Sequence, residues 1–488
     1  MGVCIMSACS EEFMELYPET KLNESTFYQS QKEYTLLANG CYIPMRDYEK
    51  VEHWILAEVI SDNSSFQNNS SPGAVRTRGV VDIFMVTSDV VTYGNFWKMS
   101  YTGIYNCNKL VEQIENTDMT WENESLKHRC IGEALFLRAL YYFNLVRQFG
   151  GVPLVLEPTS GIDAIKIKRS TEEQIYESII NDLNDAVNHF SSAKDVEENG
   201  RANWGAAISL LGKVYLTIHE YENAESMLKA VIESNRYSLL SDYADLFDPT
   251  NKDFIETIFS IQYSEGSAAL ANNFIFNFAP YTSGGEVTGR PSVNIWGYDA
   301  GWNQPTDDLI NVFEPGDKRK DVSIKFWSGA DWDLVVRDIP YCAKYKGPIS
   351  APDNRCGDNL PVIRYADVLL MYAEVLNEMG RTGEAVQFVQ QVRNRAGLTN
   401  PLTNYDKADL EVLIAKERQR ELCFENHRWY DLKRTGKAIE VMTEHGAREK
   451  AMKPWLNPSS YELSQEKLLA PIPVMEVELN QITQNPGY

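Results

Sequence analysis

A helical hairpin in the C-terminal third of the sequence constrains the fold more than any other feature. Apolar residues recur at intervals of three and four over 368–376, Gly380 and Gly383 mark a turn, and the same spacing resumes over 385–392. This period predicts two antiparallel amphipathic helices. If the hairpin repeats along the chain, the protein is built to present surfaces rather than to enclose one catalytic centre.

The hairpin pattern occurs at two other places in the chain. In 201–234, Gly212 and Ala224 fall at the small-residue positions of a tetratricopeptide repeat, which let two helices approach closely. A third, degenerate copy includes Ala139, and an inserted loop separates its first helix from its second helix at 172–190. The sequence therefore predicts a mainly α fold, an α-α superhelix of tetratricopeptide-like hairpins whose distant copies meet in space.

Two stretches depart from the helical pattern. The segment 253–355 is rich in Gly, Asn, Trp and Tyr and contains short extended runs such as ETIFSIQYS, so it predicts a loop-rich insert that carries short strands. The stretch 62–77 is rich in Ser, Asn, Gly and Pro. That composition predicts a long exposed loop, and such loops in structured chains are usually functional or disordered.

Charge limits the classes of partner. The chain has 488 residues with 46 Lys and Arg against 69 Asp and Glu, a formal net charge of −23. Nucleic acid and anionic bilayer surfaces would be repelled by most of this surface, whereas neutral and cationic ligands are compatible with it. Aromatic residues are abundant, with 26 Tyr, 19 Phe and 10 Trp, which favours recognition surfaces; the alternative is that most of these rings lie in the core.

The cysteines point to an anchor rather than to a metal site. Eight cysteines are scattered without CxxC pairs, so neither a zinc site nor a dense disulfide framework is indicated. Cys9 follows Ile-Met-Ser-Ala, which resembles the end of a bacterial lipoprotein signal peptide. We therefore expect lipidation at Cys9, with 1–8 as a signal-peptide remnant and 9–30 as a flexible tether; the alternative is an ordinary N-terminus. No apolar run of 18 residues predicts a membrane span.

Six stretches along the chain form a recognisable set. They are GEALFLRALYYFNLVRQFGGVPLV (132–155), PTDDLINVFEPGDKRKD (305–321), IRYADVLLMYAEVLNE (363–378), VRNRAGL (392–398), ERQRELCFENHRWYDLKR (417–434) and APIPVMEVELNQITQNPGY (470–488). In this order they resemble the SusD/RagB family, surface lipoproteins that capture nutrients at the outer membrane of Bacteroidetes. The resemblance implies about four tetratricopeptide-like hairpins, a loop-rich ligand face and a partner transporter of the SusC type, which is TonB-dependent.

The resemblance also implies a division of the chain. An N-terminal helical part would span 31–252, and a C-terminal part, 253–488, would contain a ligand subdomain over 253–360 followed by the hairpin and terminal helices over 361–488. We expect the parts to interleave in one globular unit. Charged residues in apolar helical frames are expected to form scaffold ion pairs and caps. They are Glu133, Arg138, Arg364, Asp367, Glu374, Glu417, Arg420, Glu421, Arg428 and Asp431.

Aromatic residues in the irregular stretches are the predicted ligand contacts. Indole and phenol rings in loops can stack on the apolar faces of sugars, while polar neighbours bond the hydroxyls. The candidates, assigned by region, are Trp296, Tyr298, Trp302, Trp327 and Trp332 in the insert, and Asp62, Asn63, Phe66 and Arg76 in the early loop. The alternative is that the five insert aromatics fold back as a local cluster.

Three classes of function compete at this point. We favour a non-catalytic, surface-exposed, lipid-anchored protein of the outer membrane that binds an oligosaccharide and delivers it to a SusC-like transporter, without a cofactor. Within this first class, the alternative is a member of the same family that binds a peptide or another nutrient. A tetratricopeptide scaffold that binds only a protein or peptide is the second class. A glycoside hydrolase would need two carboxylates in a cleft, and no GxSxG, HExxH or Walker motif supports an enzyme. Asp307, Asp308, Asp331 and Asp333 are interpreted as surface acids, with acid catalysis or a structural calcium ion as the alternatives.

Overall fold

The computed structural model describes residues 28, 30–67, 78–159, 167–193, 200–251, 255–289, 301–347 and 355–488. Sixteen α-helices lie in these ranges, so the prediction of a mainly α fold is confirmed. They are α1 (Gln31–Glu49), α2 (Glu52–Trp54), α3 (Val91–Glu115), α4 (Glu124–Phe149), α5 (Glu172–Ser192), α6 (Trp204–Thr217), α7 (Tyr221–Glu233), α8 (Phe274–Phe278), α9 (Asp307–Val312), α10 (Arg319–Ser323), α11 (Tyr365–Glu378), α12 (Thr382–Arg395), α13 (Lys407–Leu422), α14 (Arg428–Arg434), α15 (Ala438–Met452) and α16 (Val474–Glu478).

Eight of these helices form four stacked hairpins. Helix α1 packs on α3, α4 on α5, α6 on α7, and α11 on α12. Successive hairpins touch through α3 with α4, α5 with α6, and α7 with α11. The last contact brings together the two clearest repeat copies, which are far apart in sequence. The α-α superhelix of about four hairpins is therefore confirmed, and the long insert leaves the stack after α7 and returns to it at α11.

Glycines make the close helix packing feasible. A Cβ added to Gly212 in α6 would lie 2.8 Å from the side chain of Leu228 in α7, as the repeat pattern predicted. A Cβ on Gly103 in α3 would lie 2.1 Å from the ring of Tyr141 in α4. Gly380 ends α11 with φ +77°, a left-handed conformation that costs a glycine little. Small residues thus set the spacing within and between hairpins.

Within the described ranges, three two-stranded antiparallel sheets involve the insert. Strand β2 (Thr257–Ile261) pairs with β6 (Leu360–Arg364), which runs directly into α11. Strand β1 (Ser64–Ser65) pairs with β3 (Gln304–Pro305), and β4 (Ile324–Ala330) forms a hairpin with β5 (Val336–Cys342). The short strand expected in ETIFSIQYS is β2. Residues 290–300 and 348–354 of the insert lie outside the described ranges.

The predicted exposed loop at 62–77 is wrong for its first part. Residues 62–67 are all buried, and 68–77 lie outside the described residues. A π-helix over Ile55–Val59 leads into this segment, and β1 then pairs with β3. The polar side chains of the segment are bonded to other parts of the body, which is why a composition typical of loops is buried here.

A buried group of charges, here called the ionic cluster, fastens the insert to α12 and α13. Arg319 of α10 lies 2.6 Å from Glu417 and 3.0 Å from Glu421. Arg364 lies 2.9 Å from Glu421 and 2.7 Å from Glu425. No side chain of the cluster is more than 6% exposed. Its members are Glu256, Asp317, Arg319, Lys344, Arg364, Arg393, Arg395, Glu417, Arg420, Glu421 and Glu425.

Ion pairing also holds the hairpins. Every charge that the sequence assigned to the scaffold has a partner, so this prediction is confirmed. Outside the ionic cluster the pairs are Arg138 with Asp182, Glu133 with Arg201, Asp367 with Lys213 and Arg418, Glu374 with Arg434, Arg428 with Asp62, and Asp431 with Arg418.

The six described cysteines are buried free thiols. Among the described helices, none has the length and apolarity needed to cross a bilayer.

Candidate functional site

The β4–β5 hairpin is exposed toward its turn and, with that turn, carries two of the predicted aromatics, Trp327 and Trp332. Its connecting turn is held by charge: Arg337 in β5 donates to Asp331 at 2.6 Å and to Asp333 at 2.7 Å. The Asp331 backbone N–H also donates to the Val335 carbonyl at 3.0 Å. Because the guanidinium bonds two carboxylates of the same turn, the turn has a defined shape although it is largely exposed.

Trp332 in that turn stacks on Tyr281. The ring centroids are 4.5 Å apart, and the planes are inclined by 21°. Tyr281 begins a short 3-10 helix, Tyr281–Ser283, which follows α8. Both rings are half-buried, so each keeps part of its surface in contact with solvent. A half-exposed aromatic stack of this kind offers a flat apolar surface bordered by polar groups.

Trp327 in β4 adds a second indole. Its Nε1–H donates to Glu286 at 2.9 Å, which fixes the edge of the ring. The ring lies over Gly329 so closely that a Cβ there would be 2.1 Å from it. Trp327 is also half-buried. We call Tyr281, Trp327 and Trp332 the aromatic platform.

Trp302 and Phe66 lie deeper in the molecule. The Trp302 ring centroid is 6.1 Å from that of Trp54 and 5.6 Å from that of Phe66. Phe66 is only 3% exposed, whereas Trp302 is half-buried. These rings form an aromatic layer that joins the core to the base of the insert. We therefore leave Phe66 out of the contact surface proposed below, and a direct ligand contact by either ring stays a prediction.

Asp62 and Asn63 are bonded within the protein. Asp62 accepts both arms of the Arg428 guanidinium, at 2.7 and 2.8 Å, and accepts from Gln419 at 3.1 Å. Asn63 donates to Glu58 at 2.8 Å and accepts from Gln419 at 2.9 Å. The geometry gives both residues a structural role, joining the early segment to α13 and α14, and their predicted ligand contact remains untested.

Four predicted residues lie outside the described part of the chain. Trp296 and Tyr298 fall in 290–300, Arg76 falls in 68–77, and Cys9 precedes residue 28. Their assignments stay predictions.

Sequence reasoning missed the residues that complete the platform. Tyr281 stands in the run PYTSGGE, a Gly-rich context like the one used to select Trp296, so the same signal applied there would have found Tyr281 and Glu286. Gln67 bonds to Tyr281, Thr282 and Asp331. No local pattern marks Gln67, because its partners are more than 200 residues away in sequence.

Three of the four acidic candidates of the insert are paired with cations, and the fourth, Asp307, is exposed on α9. Asp308 accepts from His445 at 2.6 Å and lies 2.7 Å from Arg448, while Asp331 and Asp333 hold Arg337. Within the described ranges no group of three or more His, Cys, Asp or Glu side chains has the geometry of a metal site. A structural calcium ion therefore stays an untested alternative.

Two family profiles match separate parts of the chain. A family profile described as "SusD family" matches residues 339–488, and one described as "Starch-binding associating with outer membrane" matches residues 12–216. The chain belongs to the SusD/RagB family. A SusD-like protein of Formosa agariphila, P25, is 26% identical over 98% of this chain and 96% of its own length.

Solved structures of SusD proteins have the same fold. A SusD superfamily protein from Bacteroides vulgatus superposes with a TM-score of 0.79 at 20% identity, covering 95% of this chain and 100% of its own. A structure named "Laminarin binding SusD-like protein" superposes with a TM-score of 0.75 at 26% identity, covering 94% of this chain and 100% of its own. The helical stack and the inserted subdomain of this chain are thus those of a SusD protein.

Proposed function

We propose that this protein is a non-catalytic, surface-exposed glycan-binding lipoprotein that captures an oligosaccharide on the aromatic platform and passes it to a SusC-like TonB-dependent transporter. The observation that carries the proposal is the partly exposed stack of Tyr281 on Trp332, together with the partly exposed Trp327 on the same hairpin as Trp332. Membership of a starch-binding, outer-membrane-associated family and likeness to a laminarin-binding SusD-like protein support it.

The energetics favour a chain of sugars over a single sugar. Stacking one sugar face on an aromatic ring buries roughly 60–80 Å² of mostly apolar surface, which contributes about 2 kcal/mol. Association costs at least about 4 kcal/mol in lost translational and rotational freedom. Two or three ring contacts with hydrogen bonds are therefore needed for useful affinity, and the platform supplies two separate stacking positions, at Trp327 and at the Tyr281–Trp332 pair.

The charges around the platform favour a neutral glycan. Glu286, Asp331 and Asp333 place carboxylates beside the rings. Arg337, on the same face of the hairpin as Trp327, already bonds Asp331 and Asp333. A polyanionic sugar would approach paired cations and carboxylates on a chain of net charge −23, whereas a neutral sugar meets acceptors for its hydroxyl groups.

Single substitutions on opposite faces of β4 test the platform. Side chains alternate along a strand, so Phe326, which is 49% exposed, points away from the face that carries Trp327. We expect Trp327→Ala and Trp332→Ala each to weaken binding to a neutral glycan by tenfold or more in affinity gel electrophoresis, and Phe326→Ala to leave it unchanged. Wild-type binding by both Trp variants would contradict the platform, and shortened sugar products would contradict a non-catalytic role.

The anchor and the partner are tested separately. Expressed in a Bacteroidetes host with a complete lipoprotein signal peptide placed before Cys9, the wild type should be labelled with palmitate, and Cys9→Ala should release the protein from the membrane fraction. Mild detergent extraction of the wild type should co-purify a TonB-dependent barrel. Finding the lipidated wild type alone, and inside the periplasm, would contradict surface delivery.

A further inference from the structure

Gln67 connects the two halves of the aromatic platform. Its side-chain Nε2 donates to Thr282 Oγ1 at 2.9 Å and to Asp331 Oδ1 at 2.8 Å, and its Oε1 accepts from the Tyr281 backbone N–H at 2.6 Å. Thr282 and Tyr281 belong to the 3-10 helix, whereas Asp331 belongs to the hairpin turn. One buried carboxamide, 5% exposed, therefore joins the two segments whose rings stack on each other.

The backbone of Gln67 is fixed as well. Its N–H donates to the Gly301 carbonyl at 2.6 Å. Gly301 has φ +62°, and a Cβ on it would lie 2.7 Å from the Gln67 Cβ, so only a glycine allows this approach. Gln67 directly follows Phe66, which packs against Trp302. The carboxamide is thus held on the core side and extends toward the platform.

The chemistry of the three contacts requires an amide. A carboxamide donates two hydrogen bonds and accepts at its oxygen, which is the combination that Thr282, Asp331 and the Tyr281 N–H present. A carboxylate of the same size could accept from Tyr281, but it would face the Asp331 carboxylate without a donor. Asp331 also accepts from the Trp332 backbone N–H at 2.9 Å. The carboxylate that Gln67 bonds therefore also holds the backbone of the residue that carries the stacked indole.

We propose that Gln67 is a positioning residue of the ligand site, which preorganises the Tyr281–Trp332 stack by locking the 3-10 helix to the hairpin turn. This inference rests on the proposed function, because it assigns Gln67 a role in glycan capture at the same platform. Gln67 does not touch the ligand in this scheme. It acts by removing freedom from the two segments before binding, so that the sugar meets rings already in place.

The test replaces the amide by a group whose donor depends on pH. Gln67→Glu keeps the size of the side chain and loses the donors at pH 8, and we expect neutral-glycan affinity to fall at least tenfold there by isothermal titration calorimetry. Protonation at pH 5 restores one O–H donor, facing Asp331 and, through it, Arg337. We expect the variant to recover at least threefold in affinity at pH 5, relative to the wild type measured at both pH values.

Gln419→Glu is the matched control. Gln419 is 7% exposed and also donates to a carboxylate, that of Asp62, but its hydrogen bonds go to Asp62 and Asn63 and not to a platform residue. We expect this variant to lose thermal stability and to retain glycan affinity. In the near-ultraviolet circular dichroism spectrum, Gln67→Glu at pH 8 should lose the signal of the Tyr281–Trp332 stack, which Trp332→Ala identifies.

Three results would overturn the inference. Wild-type affinity of Gln67→Glu at pH 8, with Trp332→Ala defective, would remove Gln67 from the site and leave the proposed function standing. An affinity loss that is equal at pH 5 and pH 8 would mean general damage to the loop rather than a lost donor. Wild-type affinity of Trp332→Ala and Trp327→Ala would instead reject the platform itself, and with it the basis for Gln67.

Discussion

The ionic cluster joins the insert to the C-terminal helices and the aromatic platform lies within the insert, and the two differ in burial and in the number of segments that support them. The cluster draws charges from β6, α10, α12 and α13 and keeps each side chain at most 6% exposed. The platform has three half-buried rings on one hairpin and one short turn. Because the charges of the cluster come from many elements, they form a rigid scaffold. Because the rings of the platform come from only two segments, they keep a surface that is accessible to a ligand.

The difference follows from what each kind of side chain needs. A buried charge is tolerated only when it is paired and its hydrogen-bonding groups are satisfied, so one insertion or shift in the cluster would leave several carboxylates uncompensated. An aromatic ring on a loop has no such requirement, because its faces and its polar edge are both compatible with partial exposure. We therefore expect substitutions in the cluster to change stability and substitutions in the platform to change binding.

The largest effect should come from breaking the cluster at Arg364. Its guanidinium bonds Glu256, Glu421 and Glu425, so Arg364→Met leaves three buried carboxylates short of a cation. Breaking a buried ion pair from one side costs about 3–5 kcal/mol, and we expect a loss of that size in the free energy of unfolding. Urea denaturation followed by circular dichroism measures it.

Two controls sharpen this result. Lys437→Met removes an exposed pair with Glu440, whose side chain is 65% exposed, and should leave the denaturation midpoint unchanged. Trp327→Ala should likewise leave the midpoint almost unchanged while removing glycan affinity. If Arg364→Met had the wild-type denaturation midpoint, or if Trp327→Ala lowered the midpoint strongly, the ionic cluster and the aromatic platform would not differ in their contribution to stability.

A second effect, of up to about 3 kcal/mol, should appear as pH dependence, because buried carboxyls fall into two kinds. Burial raises the pKa of Glu58 from 4.5 to about 7, against the opposing hydrogen bonds from Phe424 and Asn63. Burial acts in the same direction on Glu421, but Arg395, Arg364 and Arg319 outweigh it and hold its pKa well below the ordinary value.

The stabilising contributions of the two kinds of carboxyl are lost in opposite directions of pH. Glu58 has a raised pKa in the folded state, so its contribution is fully present below about pH 4.5 and is lost as pH rises through about 7. Glu421 has a lowered pKa, so its contribution is present above the unfolded value and is lost as pH falls. We expect Glu58→Gln to reduce the decline in unfolding free energy between pH 5 and pH 7.5; an unchanged decline would show that another group causes it.

The helical scaffold and its ion pairs could be predicted from the sequence, whereas most of the candidate site could not. Helix periodicity and the small residues at 212 and 224 are local signals, and charges such as Arg364 and Glu421 inside apolar frames must find partners whatever the topology. The site depends on contacts between segments that no local pattern relates. Gln67 meets Asp331 through the fold alone, and Asp62, which composition placed in an exposed loop, is buried against Arg428.

The smallest effect should come from the glycine beneath Trp327. A Cβ on Gly329 would lie 2.1 Å from the indole, so Gly329→Ala must push the ring away from the strand. The ring is half-buried and can swing outward, and alanine restricts the unfolded chain more than glycine does, so stability should stay level or rise slightly. We expect a loss of a few-fold in glycan affinity by calorimetry, smaller than that of Trp327→Ala because the indole is displaced rather than removed.

Gly266→Ala provides the matched control, since an added Cβ there meets only Ser264 Oγ at 3.8 Å and should leave affinity unchanged. If Gly329→Ala binds as well as the wild type while Trp327→Ala does not, the indole binds sugar without a fixed orientation. The platform would then need only the presence of Trp327, and preorganisation would be confined to the Tyr281–Trp332 stack. If both variants lose affinity, the backbone at Gly329 fixes the orientation of the Trp327 ring. The hairpin is then more rigid than its exposure suggests.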